Sequence, residues 1–188
     1  MNLPNIIIGG HIYAGKSTIA KYLVDKYNYN KFSLGDKVKN FIVELYKILH
    51  ILHPEINEID INELYDRNTK EQHRQKMQLI ATDLMRNYFN DNIWIDSLFS
   101  TIKYPFVIDD VRFINEYEYF KKISNVIYIR VIRDNELKSN HSSEQELNDI
   151  KPDYLINNNE DIQKLFENID KIMNDIIKNE SKYSLCNN

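Results

Sequence analysis

Glycine is scarce in this chain: only 4 of the 188 residues are glycine, and three of them are Gly9, Gly10 and Gly15. The single cysteine, Cys186, cannot form an internal disulfide. No apolar run approaches the roughly 20 residues of a membrane span, and no charged and then apolar leader opens the sequence. We therefore expect a protein of a reducing, cytoplasmic compartment that does not bind membranes.

Positive charge is not in excess either. Lysine and arginine number 24 against 28 acidic residues, which gives a formal net charge of −4. This balance argues against a general basic surface for nucleic acid. Because the chain shows no internal repeat and no long Gly/Pro/Ser linker, residues 1–188 are predicted to form one domain.

The clustered glycines belong to a phosphate-binding loop motif. Gly10, Gly15, Lys16 and Ser17 occupy the fixed positions of G-x-x-x-x-G-K-[ST]. A β-branched run before the loop predicts a buried strand, and spaced apolar residues after it predict an amphipathic helix. Because a tight loop before a helix points backbone N–H groups at an anion, we expect it to bind phosphates. The candidate nucleotide-binding residues are Gly10, His11, Ile12, Tyr13, Ala14, Gly15, Lys16, Ser17 and Thr18.

Strand signals alternate with helical ones along the chain, which predicts a parallel α/β sheet. One helix is expected to begin with Asp36 as its N-cap and another near Glu160. We interpret the polar segment 134–153, which contains His141, as a lid, with a plain surface insertion as the alternative. His141 is a candidate base or a solvent-exposed bystander. The predicted strands lie near residues 5–8, 31–34, 106–108, 126–132 and 154–156.

Two adjacent carboxylates follow the third predicted strand. Asp109 or Asp110 could hold Mg²⁺ together with the Ser17 hydroxyl, and the residues alone leave the choice open, since neighbours on a strand point to opposite faces. A capping or turn aspartate is the alternative. Nearby arginines could meet phosphate groups or be solvated on the surface. They are Arg112, Arg130 and Arg133.

A further helix is predicted around residues 70–88, with Arg74, Gln78, Thr82 and Arg86 spaced four apart in one polar stripe. Arginine, glutamine and threonine can read a base edge or clamp a phosphate. A solvated helix face is the alternative. Neighbouring apolar residues are expected to enter the core; they are Met77, Ile80, Ala81, Leu84 and Tyr88.

In their order along the chain, these motifs resemble those of the bacteriophage and viral deoxynucleoside monophosphate kinases, which share a superfamily with phosphomevalonate kinase. Some positions depart from the family pattern: Ser17 stands where many members have aspartate, Ala81 stands where they have glycine, and the loop residues His11 and Tyr13 are bulkier than is usual. The matching segments after the loop are G-D-K-V-K (35–39, like A-D-P-L-K), 77–86 (like L-Q-x-x-G-T-D-x-x-R), 91–95 (like D-x-x-W-V), D-V-R-F-I-N-E (110–116, like D-V-R-F-x-N-E) and H-S-S-E (141–144, like H-x-S-E).

The resemblance implies a P-loop kinase fold with a parallel five-stranded sheet of order 2-3-1-4-5 between helices. It also implies an acceptor-binding helical region at about 36–100 and a lid at about 134–153. The implied activity is transfer of the γ-phosphate of ATP to a deoxynucleoside monophosphate, with Mg²⁺, for deoxynucleotide synthesis, in the host cytoplasm if the source is viral. The oligomeric state is left open, with a homodimer as one option.

The resemblance also implies roles for individual residues. It favours Asp110 over Asp109 as the carboxylate that serves Mg²⁺ with Ser17. The implied catalytic residues are Lys16, Arg112, Arg133 and Asp110. Arg130 and Asn157 are assigned to ATP. The implied acceptor-binding residues are Asp36, Lys39, Arg74, Gln78, Arg86, Trp94 and Glu116.

Other functions fit the residues less well. A P-loop kinase for another phosphorylated acceptor, such as phosphomevalonate, would have little use for Gln78 and Trp94 beside an isoprenoid. A nucleotide switch or motor is disfavoured because neither N-K-x-D nor L-S-G-G-Q occurs. The retained Lys16 and Asp110 argue against a non-catalytic nucleotide-binding protein.

Overall fold

The computed structural model describes residues 3–66, 68–123, 125–134 and 150–185. The chain divides into two compact units. Unit 1 comprises Met1–Phe32 and Lys103–Asn188, and unit 2 comprises Ser33–Ile102. The interpretation of residues 1–188 as one domain with an acceptor region at 36–100 stays a prediction.

Helices occupy much of both units. None of the described ones is long and apolar enough to cross a membrane. Unit 1 contains α1 (Lys16–Tyr27), and unit 2 contains α2 (Leu34–Leu52), α3 (Ile61–Tyr65), α4 (Lys70–Gln78), a π-helix (Leu79–Phe89) and α5 (Ile93–Phe99). The chain returns to unit 1 for α6 (Ile114–Ile123) and α7 (Ile162–Leu185).

Unit 1 is built on a parallel sheet of five strands. The strands pair in the order β2-β3-β1-β4-β5, and every pairing is parallel. The sheet therefore confirms the predicted fold class, including the strand order. The strands are β1 (Asn5–Gly9), β2 (Asn30–Phe32), β3 (Phe106–Ile108), β4 (Val126–Ile132) and β5 (Tyr154–Asn157).

Both faces of this sheet are covered, which is why β1 is a continuous apolar run. Ile6 and Ile8 join a core cluster with residues of α1 and α7, so these two helices cover one face. On the other face, Phe120 of α6 lies with its ring centroid 5.9 Å from that of Phe106 in β3. The sheet is thus the middle layer of unit 1.

A cluster of polar side chains joins α1 to α7, the two helices that cover the same face of the sheet. The Asp170 carboxylate accepts hydrogen bonds from the hydroxyls of Tyr22 (2.9 Å) and Tyr27 (2.8 Å) and from the Lys26 ammonium (2.7 Å). The rings of Tyr22 and Phe166 stack at 4.1 Å. This cluster fixes the helix that begins at the phosphate loop.

Unit 2 is helical, and its core lies among α2, α3 and α5. Ile42, Leu64, Ile95 and Leu98 are buried there. The N-cap of α2 is Ser33, whose hydroxyl accepts from the backbone N–H of Asp36 at 3.2 Å. The predicted N-cap at Asp36 is therefore wrong, because a side chain that can cap the helix precedes it by three residues.

The helix predicted around 70–88 continues through α4 into the π-helix, which turns more widely because its hydrogen bonds run from residue i to i+5. Because of this wider turn, residues of the π-helix face different directions from those that a 3.6-residue period predicts. Leu84 and Tyr88, expected in the core, are 44% and 78% exposed, whereas Arg86 is only 6% exposed. The expectation of buried Leu84 and Tyr88 is wrong for this geometric reason.

Candidate active site

The phosphate loop lies between β1 and α1, and its backbone needs glycine at two points. Gly10 has φ 142° and Gly15 has φ 105°, conformations that L side chains rarely adopt. A Cβ atom at Gly10 would collide with the Val131 carbonyl oxygen, and one at Gly15 would collide with the Asn158 amide. The scarce glycines thus stand where the fold leaves no room for a side chain.

The start of α1 offers positive charge to a ligand. Its N-cap is Gly15, which provides no side-chain cap, and the first turn carries no acidic residue. The Lys16 ammonium donates to the carbonyl oxygens of Gly10 (2.6 Å) and His11 (2.7 Å), so it reaches across the loop. A helix N-terminus and an ammonium group together form a site suited to phosphate.

Asn158 supports this loop, and sequence reasoning missed it. Its Nδ2 donates to the Ala14 carbonyl oxygen at 2.8 Å, and its backbone N–H donates to the Ile132 carbonyl oxygen at 2.9 Å. The side chain is buried, whereas the predicted ATP-binding residue Asn157 is exposed. The asparagine run 157–159 gave no sign of which member faces the loop.

The carboxyl ends of the strands meet at one edge of the sheet. Gly9 of β1 pairs with Arg130 of β4, and Ile132 of β4 pairs with Asn157 of β5. The segments that follow these strands therefore leave from the same edge, as is typical for ligand sites in open α/β sheets. This edge brings together the phosphate loop and the ends of β3, β4 and β5.

The two aspartates after β3 have different surroundings. The Asp109 carboxylate is 5% exposed and pairs with the Lys31 ammonium of β2 at 2.8 Å. Asp110 is half-buried. Because the Asp109 carboxylate is buried beside a lysine and Asp110 is less buried, Asp110 is the more accessible candidate to bind a cation.

The turn after Asp110 is held by Glu116. One oxygen of this buried carboxylate accepts from the backbone N–H groups of Arg112 (2.8 Å) and Phe113 (3.2 Å). Arg112 itself is exposed. Glu116 thus shapes the turn that carries Arg112, and its direct contact with an acceptor stays a prediction.

The predicted polar stripe of unit 2 includes one buried position, Arg86. Gln78, Thr82 and Arg74 are half-buried, and the Arg74 guanidinium lies 3.5 Å from the Glu71 carboxylate. Solvated surface residues would be more exposed than this. The stripe therefore presents guanidinium and amide groups in partly enclosed surroundings.

Trp94 belongs to the core of unit 2. It is 5% exposed, its ring lies 5.7 Å from that of Phe41, and its Nε1 donates to the Ala81 carbonyl oxygen at 3.0 Å. Ala81 is part of the π-helix, so Trp94 supports the segment that carries Arg86. A direct contact between Trp94 and an acceptor stays a prediction.

Asp36 and Lys39 form a cluster with Tyr65, a residue that sequence reasoning missed. The Tyr65 hydroxyl donates to Oδ1 of Asp36 at 2.8 Å, and the Lys39 ammonium lies 3.1 Å from the same oxygen. The ammonium also sits 3.6 Å from the centroid of the Tyr65 ring. Burial, and then the bond to Asp36, raises the pKa of Tyr65 to about 12, so the phenol stays protonated as a donor.

Some predicted residues fall at or beyond the limits of the described chain. Arg133 follows β4 and is exposed. His141 and most of the predicted lid, residues 135–149, lie outside the described residues. The lid and the role of His141 therefore stay predictions.

A glycine loop at the carboxyl edge of a parallel sheet in the order β2-β3-β1-β4-β5 defines a P-loop protein of the kinase type. The chain belongs to the deoxynucleotide monophosphate kinase family, whose family model matches residues 50–169. The matched residues do not include the phosphate loop, so the loop motif is an observation independent of the family match. The match also makes the chain a member of a phosphotransferase family.

The chain is 28% identical over 187 residues to the "Putative deoxynucleotide monophosphate kinase" of Acanthamoeba polyphaga mimivirus, covering 83% of this chain and 89% of that protein. Among solved structures, a dephospho-CoA kinase from Campylobacter jejuni aligns at 15% identity and TM-score 0.48, covering 92% and 97% of the two chains. A shikimate kinase from Aquifex aeolicus aligns at 13% identity and TM-score 0.46, covering 88% and 93%. Likenesses this distant carry no argument about the substrate.

Proposed function

We propose that this protein phosphorylates a deoxynucleoside monophosphate to the diphosphate, with ATP as the donor. The observation that carries the proposal is a complete phosphate loop in a chain whose residues 50–169 match the deoxynucleotide monophosphate kinase family. Direct in-line transfer is proposed, because phosphoryl transfer needs positioning and charge neutralisation more than covalent chemistry.

In this proposal unit 1 binds ATP. The backbone N–H groups of the loop and of the first turn of α1 hold the β-phosphate, and Lys16 neutralises the β- and γ-phosphates. Asn158 keeps the loop in shape through Ala14. Arg130 contributes to ATP binding, and the exposed side chains of Arg112 and Arg133 meet the phosphoryl group being transferred.

The residues present also fit Mg²⁺. The Ser17 hydroxyl and the Asp110 carboxylate are hard oxygen donors, which this ion prefers. No group of three or more His, Cys, Asp or Glu side chains that could hold a metal occurs within the described ranges. That small donor set suits an ion that keeps several waters and binds mainly through substrate phosphates. When bound, Mg²⁺ would neutralise phosphate charge.

Unit 2 is proposed to bind the acceptor. Arg74 and Arg86 would hold its phosphate through bidentate guanidinium contacts, and Gln78 would read a base edge. Asp36 and Lys39 complete the set at the start of α2. The partial burial of the stripe supports this assignment, since enclosed guanidinium groups interact more strongly with an anion than solvated ones do.

A kinase assay against a panel of acceptors tests the proposal. The purified protein, ATP and Mg²⁺ are combined with each deoxynucleoside and ribonucleoside monophosphate and with phosphomevalonate, and ADP release is followed. We expect turnover with at least one deoxynucleoside monophosphate. Turnover with phosphomevalonate alone would contradict the proposal, and so would the absence of turnover with every acceptor.

Replacing Arg86 tests which unit receives the acceptor. Arg86→Ala should raise the KM for the monophosphate roughly tenfold or more, because a charge-assisted contact is lost, and should leave the KM for ATP nearly unchanged. Since Arg86 is buried, thermal unfolding of the variant is measured alongside. A rise in the KM for ATP alone would show that the acceptor assignment is wrong.

A further inference from the structure

Tyr65, Asp36 and Lys39 form a cluster that helix capping does not require. Asp36 is the third residue of α2, where an acidic side chain commonly reaches back to the N-cap backbone. Its described bonds instead come from Tyr65 and Lys39, and both end on Oδ1. The fold therefore commits this carboxylate to a lysine and a tyrosine, and the cap is provided by Ser33.

The burial of the cluster is uneven. The Lys39 side chain is 11% exposed, whereas the Asp36 side chain is 47% exposed. No described residue bonds to Oδ2 of Asp36, so this oxygen can accept a hydrogen bond from a ligand. Enclosing an ammonium beside a carboxylate contributes little to stability by itself, so a binding role accounts better for the arrangement.

The chemistry of the cluster selects a kind of ligand group. Asp36 and Lys39 cancel in charge, so the cluster does not suit a phosphate. An oriented carboxylate beside an aromatic ring suits a hydroxyl on a ring with an apolar face, such as a sugar. A deoxynucleoside 5′-monophosphate carries one sugar hydroxyl, the 3′-hydroxyl.

We infer that Oδ2 of Asp36 accepts a hydrogen bond from the 3′-hydroxyl of the acceptor, while Tyr65 and Lys39 hold the carboxylate in position. Tyr65 is thus a positioning residue that acts through Asp36. The inference rests on the proposed function and deepens it, because it names the group that recognises the sugar of the acceptor.

Removing the hydroxyl from the substrate tests the inference directly. The wild-type protein is assayed with its best deoxynucleoside monophosphate and with the 2′,3′-dideoxy analogue of the same base. We expect kcat/KM to fall roughly ten- to hundredfold, the usual effect of losing a hydrogen bond to a charged group. Equal kcat/KM values for the two substrates would overturn the inference and leave the proposed function standing.

Variants then locate the group that senses the hydroxyl. Asp36→Ala should reduce the discrimination between the two substrates to about threefold or less, since the acceptor of the hydrogen bond is gone. Tyr65→Phe keeps the ring and should give an intermediate ratio. Glu44→Gln on the exposed side of α2 and Tyr88→Phe, 78% exposed in the wild type, are matched controls that should keep the wild-type ratio.

Binding measured by titration without ATP gives a second readout that does not depend on catalysis. The ratio of the dissociation constants for the two nucleotides should follow the same order among the variants. A wild-type ratio in folded Asp36→Ala would overturn the inference. If Asp36→Ala does not fold, Tyr65→Phe decides, because an unchanged ratio there would also overturn it. If the wild type phosphorylates no monophosphate, the proposed function fails and the inference fails with it.

Discussion

At the residue scale, the proposed site consists of a few charged side chains at and near the phosphate loop. Lys16 reaches across its loop, and Asp109 is buried beside Lys31 whereas its neighbour Asp110 is half-buried. The sequence predicted Lys16 and Ser17 because the motif is local. It missed Lys31 and Tyr65 as partners of Asp109 and Asp36, because each pair is separated by tens of residues and forms only in the folded chain.

Replacing the loop lysine should abolish transfer without unfolding the protein. Lys16→Ala removes the ammonium that neutralises the β- and γ-phosphates, so we expect kcat to fall roughly hundredfold or more. Lys21→Ala is the matched control, because Lys21 lies on the same helix with a side chain 78% exposed. Steady-state kinetics and circular dichroism measure both variants. Turnover of Lys16→Ala at the wild-type rate would remove the phosphate-loop assignment.

The two aspartates after β3 should respond differently to substitution. Asp110→Asn should raise the Mg²⁺ concentration for half-maximal activity about tenfold or more, because an oxygen donor of the cation is weakened. Asp109→Asn should lower the free energy of unfolding by about 1–3 kcal/mol, because Lys31 loses a buried partner. Mg²⁺ titration and urea unfolding separate the two effects. An unchanged Mg²⁺ requirement in Asp110→Asn would show that Asp109 or another group serves the cation.

At the element scale, the strands were predicted well and the helix faces less well. β3 and β4 were predicted at their observed bounds, because a short β-branched run bounded by polar residues is typical of a buried strand. Leu84 and Tyr88 were misplaced because a 3.6-residue period does not hold through the π-helix. No local signal in the sequence announces the wider turn.

The cluster around Asp170, between α1 and α7, should make the stability of the protein depend on pH. Burial would raise the pKa of Asp170, but the bonds from Lys26, Tyr27 and Tyr22 outweigh it and hold the pKa below its ordinary value of 3.8. The stability that this carboxylate contributes is therefore present above about pH 4 and is lost as the pH falls through its lowered folded-state pKa.

Asp170→Asn should expose that contribution. We expect the free energy of unfolding to fall by about 1–2 kcal/mol at pH 7, discounted for partial exposure. The difference from wild type should shrink as the pH falls below 4. Urea unfolding over this pH range measures the difference. Asp25→Asn is the control, because Asp25 pairs with Lys21 at an exposed position. A difference that is independent of pH would show that the charge of Asp170 is not the cause.

At the scale of the whole molecule, the division into two units predicts separate footprints for the two substrates. ATP with Mg²⁺ should slow hydrogen exchange in the phosphate loop and the start of α1, both in unit 1. A deoxynucleoside monophosphate should slow it at the start of α2, in α3 and along the π-helix, all in unit 2. Mass spectrometry of exchanged peptides measures both. Protection by the monophosphate confined to unit 1 would contradict the assignment of the acceptor to unit 2.

The proposed reaction transfers the terminal phosphate of ATP to a deoxynucleoside monophosphate. The most direct measurement follows label from ATP carrying ³²P in its γ-phosphate, with wild type and Lys16→Ala in parallel. We predict that the label appears in the deoxynucleoside diphosphate with the wild type and stays in ATP with the variant. Label released only as inorganic phosphate, or transferred equally by both proteins, would contradict it.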